Sequence, residues 1–236
     1  MKSVYIPESI KSKILNSIKF FINSEDDYNK FGIPYKKTFL LTGIPGGGKT
    51  SLIKSICNEI NYDLSILTLS NKFNNDSLIF AIKHLEKNTI LLIEDIDCIF
   101  EKREKADNSY ITFSNLINVL DGVLYKHGNI IFLTTNYPDK LDNSLLRTGR
   151  IDCIVEINYP GKKEIKNLFI DMSNGTEDQF NIFYKHVKDH KIPMCAFVNF
   201  LFMYKTEWLE NISILIDSNS FIRKTLKQDI DKGFYT

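Results

Sequence analysis

Gly43-Ile44-Pro45-Gly46-Gly47-Gly48-Lys49-Thr50 is the stretch on which the reading of this chain turns. It follows a short apolar run, Thr38–Thr42, that reads as a buried strand, and it opens a helix-compatible segment. A glycine cluster with the spacing G-x-x-x-x-G-K-[ST] between a strand and a helix is a phosphate-binding loop. The glycines allow successive backbone N–H groups to converge, and the helix adds its positive N-terminal end to the same anion site. Lys49 supplies a point charge for β- and γ-phosphates, and the Thr50 hydroxyl is a hard oxygen of the kind magnesium accepts. The expected nucleotide contacts are Gly43, Pro45, Gly46, Gly47, Gly48, Lys49, Thr50 and Ser51, with ATP and Mg2+ as the cofactors. An incidental glycine-rich turn explains neither the full spacing nor the strand-to-helix setting.

Working outward, short runs rich in β-branched residues and Leu recur at 64–69, 89–93, 130–135 and 153–157, with helix-compatible stretches such as 76–87 and 110–121 between several of them. Strands alternating with helices imply an α/β fold around a parallel five-stranded sheet flanked by helices. The runs at 89–93 and 130–133 are apolar without alternation, as central strands covered on both faces must be. Ahead of the sheet, Ile10, Ile14, Leu15, Ile18, Phe21 and Ile22 share one face of a helix over 8–22, followed by a polar break at Asn23–Asn29. After Pro160-Gly161 the strand signals stop, and segments near 162–172, 178–189, 194–204 and 207–216 read as helices. The expected division is a nucleotide-binding α/β domain over 1–160, with its N-terminal helix and linker in 1–30, and a small all-helical lid over 161–236.

A second constellation closes the 89–93 strand: Ile93-Glu94-Asp95-Ile96-Asp97. Parallel sheets bind ligands at the C-terminal edge of their strands, so this is where acids can serve a metal and orient water. A phosphate loop by itself suits a kinase or a switch GTPase equally well; the paired acids favour hydrolysis.

Composition sets the outer limits. Hydrophobic residues are 43% and charged residues 25% of 236, the balance of a soluble globular chain. A formal charge of +1 gives no general footprint for nucleic acid or an anionic membrane. No apolar run approaches the ~20 residues of a membrane span, and the N-terminus lacks the features of a secretory signal. Cys57, Cys98, Cys153 and Cys195 are scattered, against a zinc set or a disulfide framework, so a reducing compartment, the cytoplasm, is expected. His186 and His190 have helical i, i+4 spacing but no supporting ligand nearby.

With these motifs in place the chain resembles an AAA+ ATPase, a P-loop NTPase, and within that family the Bcs-type branch, whose mitochondrial members translocate the folded Rieske iron–sulfur protein. The branch resemblance rests on Phe31-Gly32-Ile33-Pro34-Tyr35-Lys36-Lys37, on Ser114-Asn115-Leu116-Ile117-Asn118-Val119-Leu120-Asp121-Gly122, and on the order Glu94-Asp95 where most AAA+ proteins carry Asp then Glu. It implies that Glu94, with Thr50, serves the metal and that Asp95 polarises water, and an exchange of those two acid roles stays open. It further implies that Asn136, ending Leu133-Thr134-Thr135-Asn136, helps place the attacking water. Arg147 or Arg150, in Leu145-Leu146-Arg147-Thr148-Gly149-Arg150-Ile151-Asp152, is implied as a finger reaching a neighbouring subunit's site.

The resemblance spans about residues 31–216. Ile44 stands where the family usually has the first Pro of the loop, and Thr148 where the finger segment has Pro. Phe73 lies where many AAA+ motors carry an aromatic pore loop, a signature the Bcs-type branch lacks. No stretch of these 236 residues is expected to supply the mitochondrial members' membrane span or N-terminal domain, so Rieske translocation is not among the expectations. What the resemblance implies is a homo-oligomeric ring of six or seven subunits that couples magnesium-dependent ATP hydrolysis to remodelling or translocation of a macromolecule, a protein rather than a nucleic acid. A nucleotide-switched scaffold with little turnover is the rival, and a small-molecule kinase stands third.

Overall fold

The computed structural model describes residues 4–68, 75–101, 113–121, 128–147 and 149–217. Phe73 and Thr148, singled out above, lie outside the described residues. Five strands form one parallel sheet: β1 (Lys36–Gly43), β2 (Asp63–Thr68), β3 (Thr89–Glu94), β4 (Asn129–Thr134) and β5 (Cys153–Ile157). Their spatial order is β2-β3-β4-β1-β5. The non-alternating runs form β3 and β4, both flanked by strands on each side, while β2 and β5 take the edges.

Parallel strands require crossovers, and the helices that make them cover both faces of the sheet. Side chains alternate accordingly. Phe39, Leu41, Ile90, Leu92 and Phe132 point to one face, where Ile14, Ile18 and Phe21 of α1 (Glu8–Ile22) and Leu52, Ile53 and Ile56 of α3 (Lys49–Ile60) join them. Leu40, Leu91, Ile93, Ile131 and Leu133 point to the other, packed with Leu78 and Ile82 of α4 (Asn75–Lys83) and Leu116 and Leu120 of α6 (Phe113–Leu120). Phe39 and Phe132 stack across neighbouring strands at 4.7 Å.

One element departs from expectation. The polar stretch after α1 folds as α2 (Glu25–Phe31), not as a break. Glu25, Asp26 and Asp27 in its first turn favour the positive end of the helix dipole, and Gly32 stops it in the left-handed conformation at φ 65°. A short α5 (Cys98–Glu101) follows β3.

The chain divides into two compact units, one of Met1–Gly43 with Lys49–Ile157, the other of Ile44–Gly48 with Asn158–Thr236. The second is helical: α7 (Lys162–Ser173), α8 (Glu177–Val187), α9 (Met194–Met203) and a further segment over 208–217. Its core is aromatic, with Phe169 against Phe183 at 4.9 Å and against Trp208 at 5.3 Å. The break between α7 and α8 is written in the sequence: Asn174 turns left-handed, and Thr176 and Gln179 form a reciprocal capping box.

Candidate functional site

The C-terminal edge of the sheet gathers the chemistry in the first unit. β1 ends at Gly43, with φ 125°, and β5 runs so close that a methyl group on Gly43 would collide with the Ile157 carbonyl oxygen. Only glycine fits there. α3 starts at Lys49, whose buried side chain donates to Gly43 O at 2.9 Å and to Asn136 Oδ1 at 2.6 Å. The next residue, Thr50, donates from its hydroxyl to Glu94 Oε1 at 2.7 Å. Lys49 and Asn136, 87 positions apart in sequence, thus meet because β1 and β4 are neighbours in register.

Asp95 leaves β3 with a left-handed backbone, φ 50°, uncommon for a residue other than glycine and concentrated at functional positions. Its N–H donates to Thr134 Oγ1 at 3.1 Å, and its Oδ1 accepts from Asn136 Nδ2 at 3.3 Å. The Asp95 carboxyl is pushed above the usual aspartate range by desolvation first, then by the charges of Asp97 and Glu94, with Lys49 pulling the other way. Burial lowers Lys49 from the usual lysine value, and Asp95 and Asp97 oppose that. Ser51 is exposed on the first turn of α3.

The loop residues Ile44–Gly48 group with the helical unit. Gly46 O accepts from Cys195 N at 3.1 Å, at the start of α9, and a methyl on Gly46 would collide with Cys195 Sγ. Pro45 and Gly46 are exposed, Gly47 is buried, and Gly47 N closes a turn onto Ile44 O at 3.3 Å.

The two arginines differ. Arg150 grips Asp121 with two nitrogens, Nε to Oδ1 at 2.8 Å and Nη2 to Oδ2 at 3.2 Å, and its Nη1 donates to Ser144 O at 2.8 Å. Arg147 is exposed. Sequence reasoning did not foresee the Asp121 pairing, nor a second tie in which the Thr135 hydroxyl donates to Asp97 Oδ1 at 2.6 Å. The doublet Thr134-Thr135 ahead of Asn136, with Asp97 two residues beyond Asp95, was the available signal for the latter.

The donor set fits a magnesium nucleotide. Thr50 Oγ1 and Glu94 Oε1 present hard oxygens side by side, the Lys49 ammonium stands at the start of a helix, and Gly43 leaves the approach free of a side chain.

Comparison with known proteins gives the family. The family described as "ATPase family associated with various cellular activities (AAA)" matches residues 39–159. The chain belongs to the AAA family. Its relatives are of Bcs type: it is 39% identical over 219 residues to the probable mitochondrial chaperone BCS1-A of Dictyostelium discoideum, covering 86% of this chain and 51% of that protein. It is 34% identical to the probable mitochondrial chaperone bcs1 of Schizosaccharomyces pombe, over 72% of this chain and 39% of the relative. With the human mitochondrial chaperone BCS1 it shares 31% identity, over 72% of this chain and 42% of the relative. The AAA chain thus spans about half the length, or less, of these curated relatives. Among its described residues no helix is long and apolar enough to cross a membrane.

Proposed function

We infer that this AAA chain hydrolyses ATP with magnesium, and that it does so in a homo-oligomeric ring that remodels or translocates a protein. The observation carrying the reading is the convergence of Lys49, Thr50, Glu94, Asp95 and Asn136 at one sheet edge. Gly43–Thr50 cradles the phosphates, with Pro45, Gly46, Gly47 and Gly48 shaping the loop and Ser51 following in the helix. Thr50 and Glu94 are the residues that would hold magnesium, which would neutralise phosphate charge when bound. Lys49 turns from Asn136 toward β- and γ-phosphate oxygens, which frees the Asn136 carboxamide to orient water beside Asp95. Asp95, bonded to Asn136, accepts a proton from that water.

Arg147 is the better finger in trans, because its side chain is exposed while Arg150 is held by Asp121 and Ser144 of its own chain. Arg150 then keeps the finger segment in shape. The division proposed is a nucleotide-binding domain over 1–160 and a lid over 161–236. Relatives named as chaperones support a protein substrate.

Phosphate release by the purified chain tests the reading. With ATP and magnesium, release is expected to saturate with ATP and to stop when the metal is chelated. ATP binding without phosphate release overturns hydrolysis and leaves a nucleotide-switched scaffold.

A further inference from the structure

Asn136 sits on a short connection after β4, which Thr135 N ties to Leu41 O of β1 at 3.1 Å and which a pair of side chains outside the phosphate loop holds further. The Thr135 side chain is fully buried, and its hydroxyl is used twice: it donates to Asp97 Oδ1 at 2.6 Å and accepts from Tyr137 N at 3.0 Å. The second bond closes a hydroxyl turn around Asn136. A hydroxyl has one proton, so the acceptor on Asp97 sets its direction and leaves the lone pairs for Tyr137. The β3 and β4 ends are tied further by Ile96 N to Thr134 O at 3.0 Å and Asp95 N to Thr134 Oγ1 at 3.1 Å, so Asp97 and Asn136 belong to one hydrogen-bonded corner. Asp97 is itself buried, at 7% exposure, which a carboxylate tolerates only with hydrogen-bond partners.

The geometry points to Asp97 and Thr135 as positioning residues for Asn136: the Asp97–Thr135–Tyr137 relay holds the backbone on both sides of Asn136, so that its carboxamide bridges Lys49 and Asp95. The inference rests on the ATPase reading for its effect on rate, while the relay itself can be read in the nucleotide-free protein. Displacing a water-orienting group by about 1 Å costs up to about a hundredfold in rate, whereas substrate binding through the phosphate loop is untouched.

The test uses Thr135→Val, which removes the hydroxyl at nearly constant shape, and Thr135→Ser, which keeps it. For Thr135→Val, kcat is expected to fall about ten- to hundredfold with KM for ATP within about threefold, and Thr135→Ser is expected to restore most of kcat. In an Asn136→Ala background Thr135→Val is expected to cost nothing more, because the group it positions is gone. In the nucleotide-free protein, the Asn136 side-chain amide resonances, assigned by their loss in Asn136→Ala, are expected to move in Thr135→Val and to return in Thr135→Ser. Should Thr135→Val not fold, Thr135→Ala takes its place with the same readouts. Losses that multiply in the double variant, or amide resonances and kcat unmoved by loss of the hydroxyl, overturn the positioning role. A wild-type chain that binds ATP without releasing phosphate overturns the ATPase reading instead, and the amide resonances still decide the relay.

Discussion

Lys49 stands buried, donating to a backbone carbonyl and to the Asn136 carboxamide, with the charges of Asp95 and Asp97 favouring its ammonium form. Under the proposed function phosphate oxygens would bind that ammonium more strongly than the two carbonyl oxygens do, since charge-assisted hydrogen bonds are roughly twice as strong as neutral ones. Lys49→Ala is therefore expected to weaken ATP binding at least about tenfold, about 1.4 kcal/mol, which titration calorimetry reads directly. Unchanged affinity would remove the phosphate-loop assignment. The neighbouring acids separate in the same way. Glu94 is bonded to Thr50, the pair proposed for the metal, and Asp95 to Asn136, the pair proposed for water. Asp95→Asn is expected to keep ATP bound and slow phosphate release severely, and a filter assay of retained nucleotide checks it. If Glu94→Gln retained nucleotide and Asp95→Asn lost magnesium, the two roles would be exchanged.

Elements explain why those side chains meet, and how far the sequence could say so. The apolar runs at 89–93 and 130–133 announced interior strands because residues buried on both faces leave no alternation, and the glycine cluster announced its own strand and helix. α2 was hidden, because a seven-residue, mostly polar helix with no fully buried side chain has no periodicity to read; its acidic first turn, its glycine stop and the packing of Tyr28 on Phe21 and Tyr35 hold it. The bond between Lys49 and Asn136 was equally hidden, since it follows from the strand order β4-β1, which local pattern does not encode. Gly43 shows what that order demands of one residue. Gly43→Ala places a side chain against the Ile157 carbonyl at a backbone angle that L residues avoid. Strain of this kind costs about 1–3 kcal/mol before the clash is counted, so a chemical denaturation midpoint should fall accordingly, with the β1–β5 pairing the part disturbed. A midpoint equal to wild type would mean that β5 yields without penalty.

At the scale of the whole molecule the two arginines decide whether one chain is a complete enzyme. Arg150 spends three nitrogens on Asp121 and Ser144 of its own chain, and Arg147 is left exposed on the same segment. A finger in trans contributes about 10³–10⁵ in rate, about 4–7 kcal/mol of transition-state stabilisation, while a partly exposed ion pair contributes about 1 kcal/mol or less to stability. Arg147→Ala is thus expected to nearly silence phosphate release while sparing ATP affinity and the melting temperature. Arg150→Ala is expected to lower the melting temperature first, because it leaves Asp121 and the Ser144 carbonyl without their donor. Specific activity should rise with protein concentration as neighbours complete each other's sites. Mixing supplies the sharper measurement. Arg147→Ala keeps a sound phosphate loop and Asp95→Asn keeps a sound finger, so interfaces that join the intact halves should recover activity that neither variant has alone. Activity independent of concentration, with Arg147→Ala fully active and no recovery on mixing, would show that each chain works by itself, and the ring would have to be abandoned.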